Sequence, residues 1–153
     1  MDKAKVIEKL NQAIALELGA VLQYNQYAHV LLGPDRKLWY DFFKDNSDEA
    51  LDHARTFASR VVALGGIPSA EPEPVKQAAD IREMLSNSLE VERRAVALYT
   101  EALALCEDHP GYRNLLEDQI QKETEDVEEL EKYLNQVSKV TAGRPGKRMG
   151  RTA

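Results

Sequence analysis

The chain has 153 residues, of which 43% are hydrophobic and 30% charged, and its net charge is −6. This composition is typical of one folded domain and excludes a chain that is disordered throughout. The single cysteine, Cys106, excludes an intramolecular disulfide framework.

The sequence contains no apolar run long enough to cross a bilayer, so we expect no membrane-spanning helix. The charged residues at the start are not followed by an apolar core, so we expect no signal peptide. A cytoplasmic protein is the resulting expectation.

Glycine and proline divide the chain into four segments whose apolar side chains recur every three or four residues. The breaks lie at 33–34, 65–74 and 109–111. This pattern predicts four helices, over about 3–31, 36–64, 81–107 and 110–137. Asp80 with Glu83 is typical of a capped start for the third helix, and Pro110 suits the first turn of the fourth.

The lengths of the connections indicate the topology. Short loops join the first helix to the second and the third to the fourth, so each pair is antiparallel. The second and third helices are separated by about sixteen residues, which reach roughly 50 Å when extended. The second helix is about 43 Å long. We therefore predict an all-α, up-down four-helix bundle with one long crossover between the second and third helices.

Residues 139–153 contain five basic and no acidic side chains, so all of the acidic side chains lie within 1–138. We divide the chain into a helical bundle over 1–137 and a basic, flexible tail over 138–153. An acidic bundle does not suit a nucleic-acid clamp, although the tail could dock on DNA or on an acidic partner.

The first and third helices share a short repeat at a constant offset. The matched residues are Glu17 with Glu92, Ala20 with Ala95 and Tyr24 with Tyr99. Such a match agrees with two helical hairpins related by duplication.

Ionisable residues interrupt the apolar stripes close to the middle of every helix. They are Glu17, Glu49, His53, Glu92, Glu123 and Asp126. Any one of the acids could instead face water. Helix midpoints share one depth in such a bundle, however, so the set would converge in the core, where unpaired carboxylates are costly. Two divalent cations would balance their charge, and oxygen with imidazole ligands suits Fe or Mn.

Over about residues 3–137 these features resemble the ferritin superfamily, and bacterioferritin most closely. The resemblance rests on Glu17 followed by Tyr24, the segment Ser-Asp-Glu-Ala-Leu-Asp-His-Ala-Arg with His53, the long crossover, Glu92, and Glu123 to Asp126. It implies a ferritin-like bundle with a di-metal site.

The resemblance also implies individual roles. Glu17 and His53 would hold one metal, Glu92 and Asp126 would hold the other, and Glu123 would bridge the two. Tyr24 would lie beside the site and donate a hydrogen bond or an electron, or it is simply a core aromatic residue. We interpret Tyr99, its counterpart, as a core residue.

Three positions depart from the family pattern. The second bridging carboxylate is replaced by Ala50, and the family's usual second histidine is replaced by Asp126. Glu49, four residues before His53, could substitute for the missing bridge, or it could be an outward-facing acid. The methionine that binds haem in bacterioferritin is replaced by Leu51, so we expect no haem.

The resemblance predicts an iron-oxidising protein that uses O₂ or peroxide for iron storage or detoxification and assembles into a homo-oligomer, either a dimer or a cage. Three alternatives stay open. They are a ferritin-like peroxidase of the rubrerythrin kind, a catalytically degenerate binding or structural protein, and a DNA-protecting miniferritin.

Overall fold

The computed structural model describes residues 1–135, which form four helices. Helix α1 spans Lys3–Val30, α2 spans Arg36–Ala63, α3 spans Ile81–Ala104 and α4 spans Pro110–Tyr133. The proposed boundary at residue 137 and the tail over 138–153 lie outside the described residues.

Local sequence accounts for where three of the helices begin. The Asp2 carboxylate accepts a hydrogen bond from the Lys5 amide at the start of α1. The Asp80 carboxylate accepts one from the Glu83 amide at 2.9 Å, as expected for a capped start of α3. Helix α4 begins at Pro110, whose missing amide hydrogen costs nothing in a first turn.

The predicted ends of the last two helices were too late. Helix α3 stops at Ala104 and not near 107, because the chain turns through residues 105–108. Helix α4 stops at Tyr133 and not at 137, because Asn135 adopts a left-handed conformation with φ of 56°. Asparagine tolerates this conformation at helix ends better than most residues do.

The four helices form the predicted bundle with one long crossover. Tyr133, at the end of α4, packs against Trp39 near the start of α2, with ring centroids 5.6 Å apart. Trp39 lines one cavity with Val30, at the end of α1, and with Ile81, at the start of α3. Helices α1 and α4 therefore end where α2 and α3 begin.

Hydrogen bonds hold the crossover over 64–80 against α1. The Asn11 side chain donates to the Ile67 carbonyl at 3.0 Å and accepts from the Ser69 amide at 2.8 Å. Further along, the Glu73 amide donates to the Ala15 carbonyl at 2.8 Å. Near the other end, the Tyr27 hydroxyl donates to the Lys76 carbonyl at 2.6 Å. These contacts pair backbone groups of the crossover with α1 and keep it against that helix.

The core consists of two apolar clusters at different depths. One is built around Leu10, Phe57 and Leu116, and the other around Phe43 and Leu130. Between them, the middle of the bundle carries buried ionisable side chains. They are Glu17, His53, Glu92 and Glu123. No helix within residues 1–135 has a stretch long and apolar enough to cross a membrane.

Gly19 is a position where the crossover leaves no room for a side chain on α1. A Cβ atom at this position would lie 2.8 Å from the Glu73 carbonyl oxygen and 3.2 Å from the Glu73 Cβ. Gly19→Ala should therefore displace the crossover and lower the free energy of unfolding by about 1–3 kcal/mol in urea titrations. Gly111→Ala is the control, because nothing lies within 4 Å of that position. A Gly19→Ala protein as stable as the Gly111→Ala protein would contradict this packing.

Candidate metal centre

Each helix brings a side chain to the polar layer between the two apolar clusters. Helix α1 contributes Glu17, α2 contributes His53, α3 contributes Glu92 and α4 contributes Glu123, and all four are buried. Four ionisable groups at one depth cannot all be charged and unpaired in such a place.

Three of these side chains form a compact cluster. The Nδ1 atom of His53 lies 2.7 Å from the Glu123 Oε1 atom and 3.9 Å from the Glu17 Oε2 atom. One ligand atom from each residue falls within 4.8 Å of the other two. Metal–ligand bonds to such atoms are about 2.0–2.2 Å long, so small side-chain rotations would let all three bind one ion.

Two tyrosines cross the bundle to the carboxylates of the opposite hairpin. The Tyr24 hydroxyl of α1 donates a hydrogen bond to Glu92 of α3, and the Tyr99 hydroxyl of α3 donates one to Glu17 of α1. The Tyr99 hydroxyl also lies 3.5 Å from Glu123 Oε1. The short repeat shared by α1 and α3 therefore corresponds to a reciprocal pair of contacts across the bundle.

Burial controls the protonation of the carboxyl groups. It is the largest cause that raises the pKa of Glu17 to about 8 and the pKa of Glu123 to about 8, with His53 opposing the rise at Glu17 and a hydrogen bond with Glu92 opposing it at Glu123. The pKa of Glu92 lies well above its usual range, first because the group is buried and then because of the negative charge of Glu123. A bound cation would favour the ionised forms of all three groups and displace their protons.

The remaining two predicted ligands lie further out. Asp126 is partly exposed, and burial followed by the negative charge of Glu49 raises its pKa to about 6. The Glu49 carboxylate lies 3.8 Å from Nε2 of His53, on the opposite side of the ring from Glu17 and Glu123. Neither belongs to the 4.8 Å cluster found within residues 1–135.

The position of Glu49 bears on the two roles left open for it. It faces the other nitrogen of His53, and 44% of its side-chain surface is exposed. This arrangement favours the outward-facing acid over a replacement for the bridge missing at Ala50, which is itself buried.

Sequence reasoning assigned two residues of this region no part in the site. Tyr99 is a buried core residue, as expected, and its hydroxyl also contacts Glu17, which the expected place of its repeat partner Tyr24 beside the site could have indicated. Gln119 was not considered. It is buried one helical turn before Glu123, and its Oε1 atom has no hydrogen-bond partner among the described residues. The four-residue spacing from Glu123 is the signal that could have identified it.

The donor set fits iron on the chemistry of its residues. Carboxylate oxygens with one imidazole nitrogen are ligands that suit divalent iron and manganese. The Nδ1 atom of His53 faces two carboxyl groups whose protons a metal ion would replace. Leu51 stands at the position that the resemblance gives to the haem-binding methionine. The absence of haem therefore stays a prediction.

Comparisons with known proteins agree with the four-helix fold. A family profile described as ferritin-like domain matches residues 7–140. A bacterioferritin from Brucella melitensis is 28% identical over 93% of this chain and 90% of its own length.

Two solved structures share the fold. A ferritin-like, diiron-carboxylate protein from Bacillus anthracis has a TM-score of 0.85 and 33% identity, covering 88% of this chain and 99% of that one. A Desulfovibrio desulfuricans bacterioferritin, described with its diiron site in different catalytic states, has a TM-score of 0.79 and 28% identity, covering 88% of this chain and 81% of that one.

We expect the metal-free protein to lose stability between about pH 5 and pH 8. In the unfolded chain Glu17 and Glu123 have an ordinary carboxyl pKa near 4.5, whereas in the folded protein their pKa is about 8. The folded state therefore holds protons that the unfolded state has released. The stabilisation is complete below about pH 4.5 and is lost as the pH rises through about 8.

Urea unfolding of the metal-free protein at pH 6 and pH 8 measures this effect, and we expect a decline of about 1 kcal/mol or more. Glu123→Gln keeps a neutral side chain at every pH, so its decline should be smaller. Equal or greater stability of the wild type at pH 8 would argue against buried, protonated carboxyl groups.

Proposed function

The chain belongs to the ferritin-like domain family, and on that premise we propose that it binds Fe(II) in the bundle core and oxidises it with O₂ or peroxide for iron storage or detoxification. The observation that carries the proposal is the cluster of Glu17, His53 and Glu123, whose ligand atoms lie within 4.8 Å of one another. Here Fe(II) is the substrate, and the site is where it would be oxidised.

The residues around the cluster support a two-ion site. Glu123 has one carboxylate oxygen beside His53, and it interacts electrostatically with Glu92 and Asp126. We assign Glu17 and His53 to one ion, Glu92 and Asp126 to the other, and Glu123 to both. Two Fe(II) ions give up one electron each, and O₂ takes up both electrons with two protons to become hydrogen peroxide.

The tyrosines would position the carboxylates. Each hydroxyl donates a hydrogen bond to one oxygen of Glu92 or Glu17, which leaves the other oxygen of that carboxylate to face the metal. Burial, followed by the nearby carboxylates, raises the pKa of Tyr24 well above its usual range, so the hydroxyl keeps its proton at neutral pH. If Tyr24 donates an electron, as the resemblance implies, it would therefore lose this proton at the same time.

We further propose that the protein forms a homo-oligomer, that it is cytoplasmic and that it binds iron in preference to manganese. The family membership supports the oligomer and the iron. The carboxylate-rich donor set also accommodates manganese.

Ala50 favours a second candidate, a bundle that binds metal without turning it over. This residue leaves α2 with His53 as its only side chain in the cluster described above. The two candidates share a fold and differ in whether bound Fe(II) is oxidised.

Anaerobic Fe(II) titration followed by O₂ tests the proposed site. We expect the wild type to take up two Fe(II) per chain and to oxidise them rapidly, as measured by ferric absorbance in the near ultraviolet. Glu123→Gln should slow oxidation at least tenfold, because it removes a ligand shared by both ions. Glu128→Gln, an exposed acid on the same helix, is the matched control and should match the wild type. Normal oxidation by Glu123→Gln would remove Glu123 from the site.

Restoring the missing carboxylate distinguishes the two candidates. Ala50→Glu should raise the initial rate of Fe(II) oxidation several-fold if the site lacks only a bridge, because a second carboxylate would complete the ligands of both ions. Ala50→Gln has the same size without the charge and should not produce this gain. If neither the wild type nor Ala50→Glu oxidises Fe(II), whether or not the ion is bound, the protein is the degenerate form.

A further inference from the structure

The outer side of His53 faces a groove that the proposed centre does not use. The groove lies between α2 and α4 and has a volume of about 340 Å³. Its lining includes Asp48, Glu49, Asp52, His53, Gln119 and Lys122. The ring of His53 lies between this groove and the oxygens of Glu17 and Glu123 that face Nδ1.

Two buried polar atoms of this lining have no hydrogen-bond partner within residues 1–135. They are Nε2 of His53 and Oε1 of Gln119. His53 is 5% exposed and Gln119 is 6% exposed. Leaving such atoms unpaired destabilises the folded chain, so their shared location points to a missing partner.

The charges in the groove indicate the kind of partner. Asp48 is paired with Lys44 at 2.8 Å, and Asp52 is paired with Arg55 at 3.1 Å. Glu49 has no lysine or arginine partner within the described residues, and its carboxylate lies 3.8 Å from Nε2 of His53. An unpaired carboxylate, an amide oxygen and an imidazole nitrogen are all electron-pair donors, and together they suit a cation.

We propose that this groove holds a divalent cation, bound by the Glu49 carboxylate, Oε1 of Gln119 and Nε2 of His53. The ion is distinct from those of the centre, because it uses the opposite nitrogen of the histidine ring. No residue assigned to the centre other than His53 takes part.

The shared histidine makes the two sides of the ring interdependent. A neutral imidazole has one nitrogen with a lone pair and one that carries hydrogen. While Nε2 binds the groove ion, Nδ1 keeps its hydrogen and can donate it to Glu123, 2.7 Å away. An ion in the centre needs the lone pair on Nδ1. A neutral His53 therefore serves the groove ion or an ion in the centre, and not both at once, and the proposal rests on the proposed function only for this competition.

Co(II) is a suitable probe because it is stable in air and its visible absorbance reports nitrogen and oxygen ligands. We would titrate the full chain in the Glu17→Gln background, which weakens the centre and leaves the groove intact. Glu49→Gln and Gln119→Met should each weaken Co(II) binding at least tenfold. Lys122→Gln should strengthen binding, because it removes a competing positive charge, and Asp48→Asn should change it less than twofold.

Crystals of the wild type and of the Glu17→Gln protein soaked in Co(II) locate the ion by anomalous scattering. A peak beside Glu49, Gln119 and Nε2 of His53 in the Glu17→Gln crystals supports the proposal. A filled centre with an empty groove in both crystals overturns it and leaves the proposed function standing. If Co(II) fills neither place in the wild type, both fail. Should Gln119→Met weaken only the ion in the centre, Gln119 orients His53 and binds no cation itself.

Discussion

The structure depends on one constraint, the cost of burying ionisable groups in the middle of an apolar core. Glu17, Glu92 and Glu123 are buried with a single histidine among them. Without a cation the fold can keep them only by holding protons on them, which is why their pKa values lie above the ordinary carboxyl range. The crossed tyrosine contacts and the pairing of His53 with Glu123 follow from the same need. A ferritin-like bundle thus has a core whose charge balance is set by what it binds.

The internal repeat is complete on one pair of helices and broken on the other. Helices α1 and α3 contribute equivalent residues, Glu17 with Glu92 and Tyr24 with Tyr99, and the contacts between them are reciprocal. On α2 and α4 the sequence has to be compared at an offset two residues shorter, which sets Ala50 against Glu123 and His53 against Asp126. The half of the site nearest α2 therefore has the histidine, and the half nearest α4 has the carboxylates. We expect the two ions to differ in affinity for this reason.

Much of the fold could be predicted because glycine and proline mark the breaks and the crossover length permits few topologies. The four helices began where they were predicted to begin. Their ends were less accurate, because the left-handed conformation of Asn135 depends on a local geometry that apolar periodicity does not encode. The inward placement of Glu17, Glu92 and Glu123 could be inferred from the interruption of the stripes. The sequence could not show which nitrogen of His53 faces Glu49. A spacing of four residues puts two side chains on one face of a helix but does not fix the orientation of the ring.

The crossed hydrogen bonds also have a consequence for how the chain reaches this state. They join residues 68 and 82 positions apart, whereas each hairpin closes through a loop of only a few residues. Contacts between distant residues form after the local ones, since closing the longer loop costs more chain entropy. The hairpins would thus assemble while the acids are still hydrated, and docking of the two halves removes that water. The layer of buried ionisable side chains is then the last part of the core to lose its water.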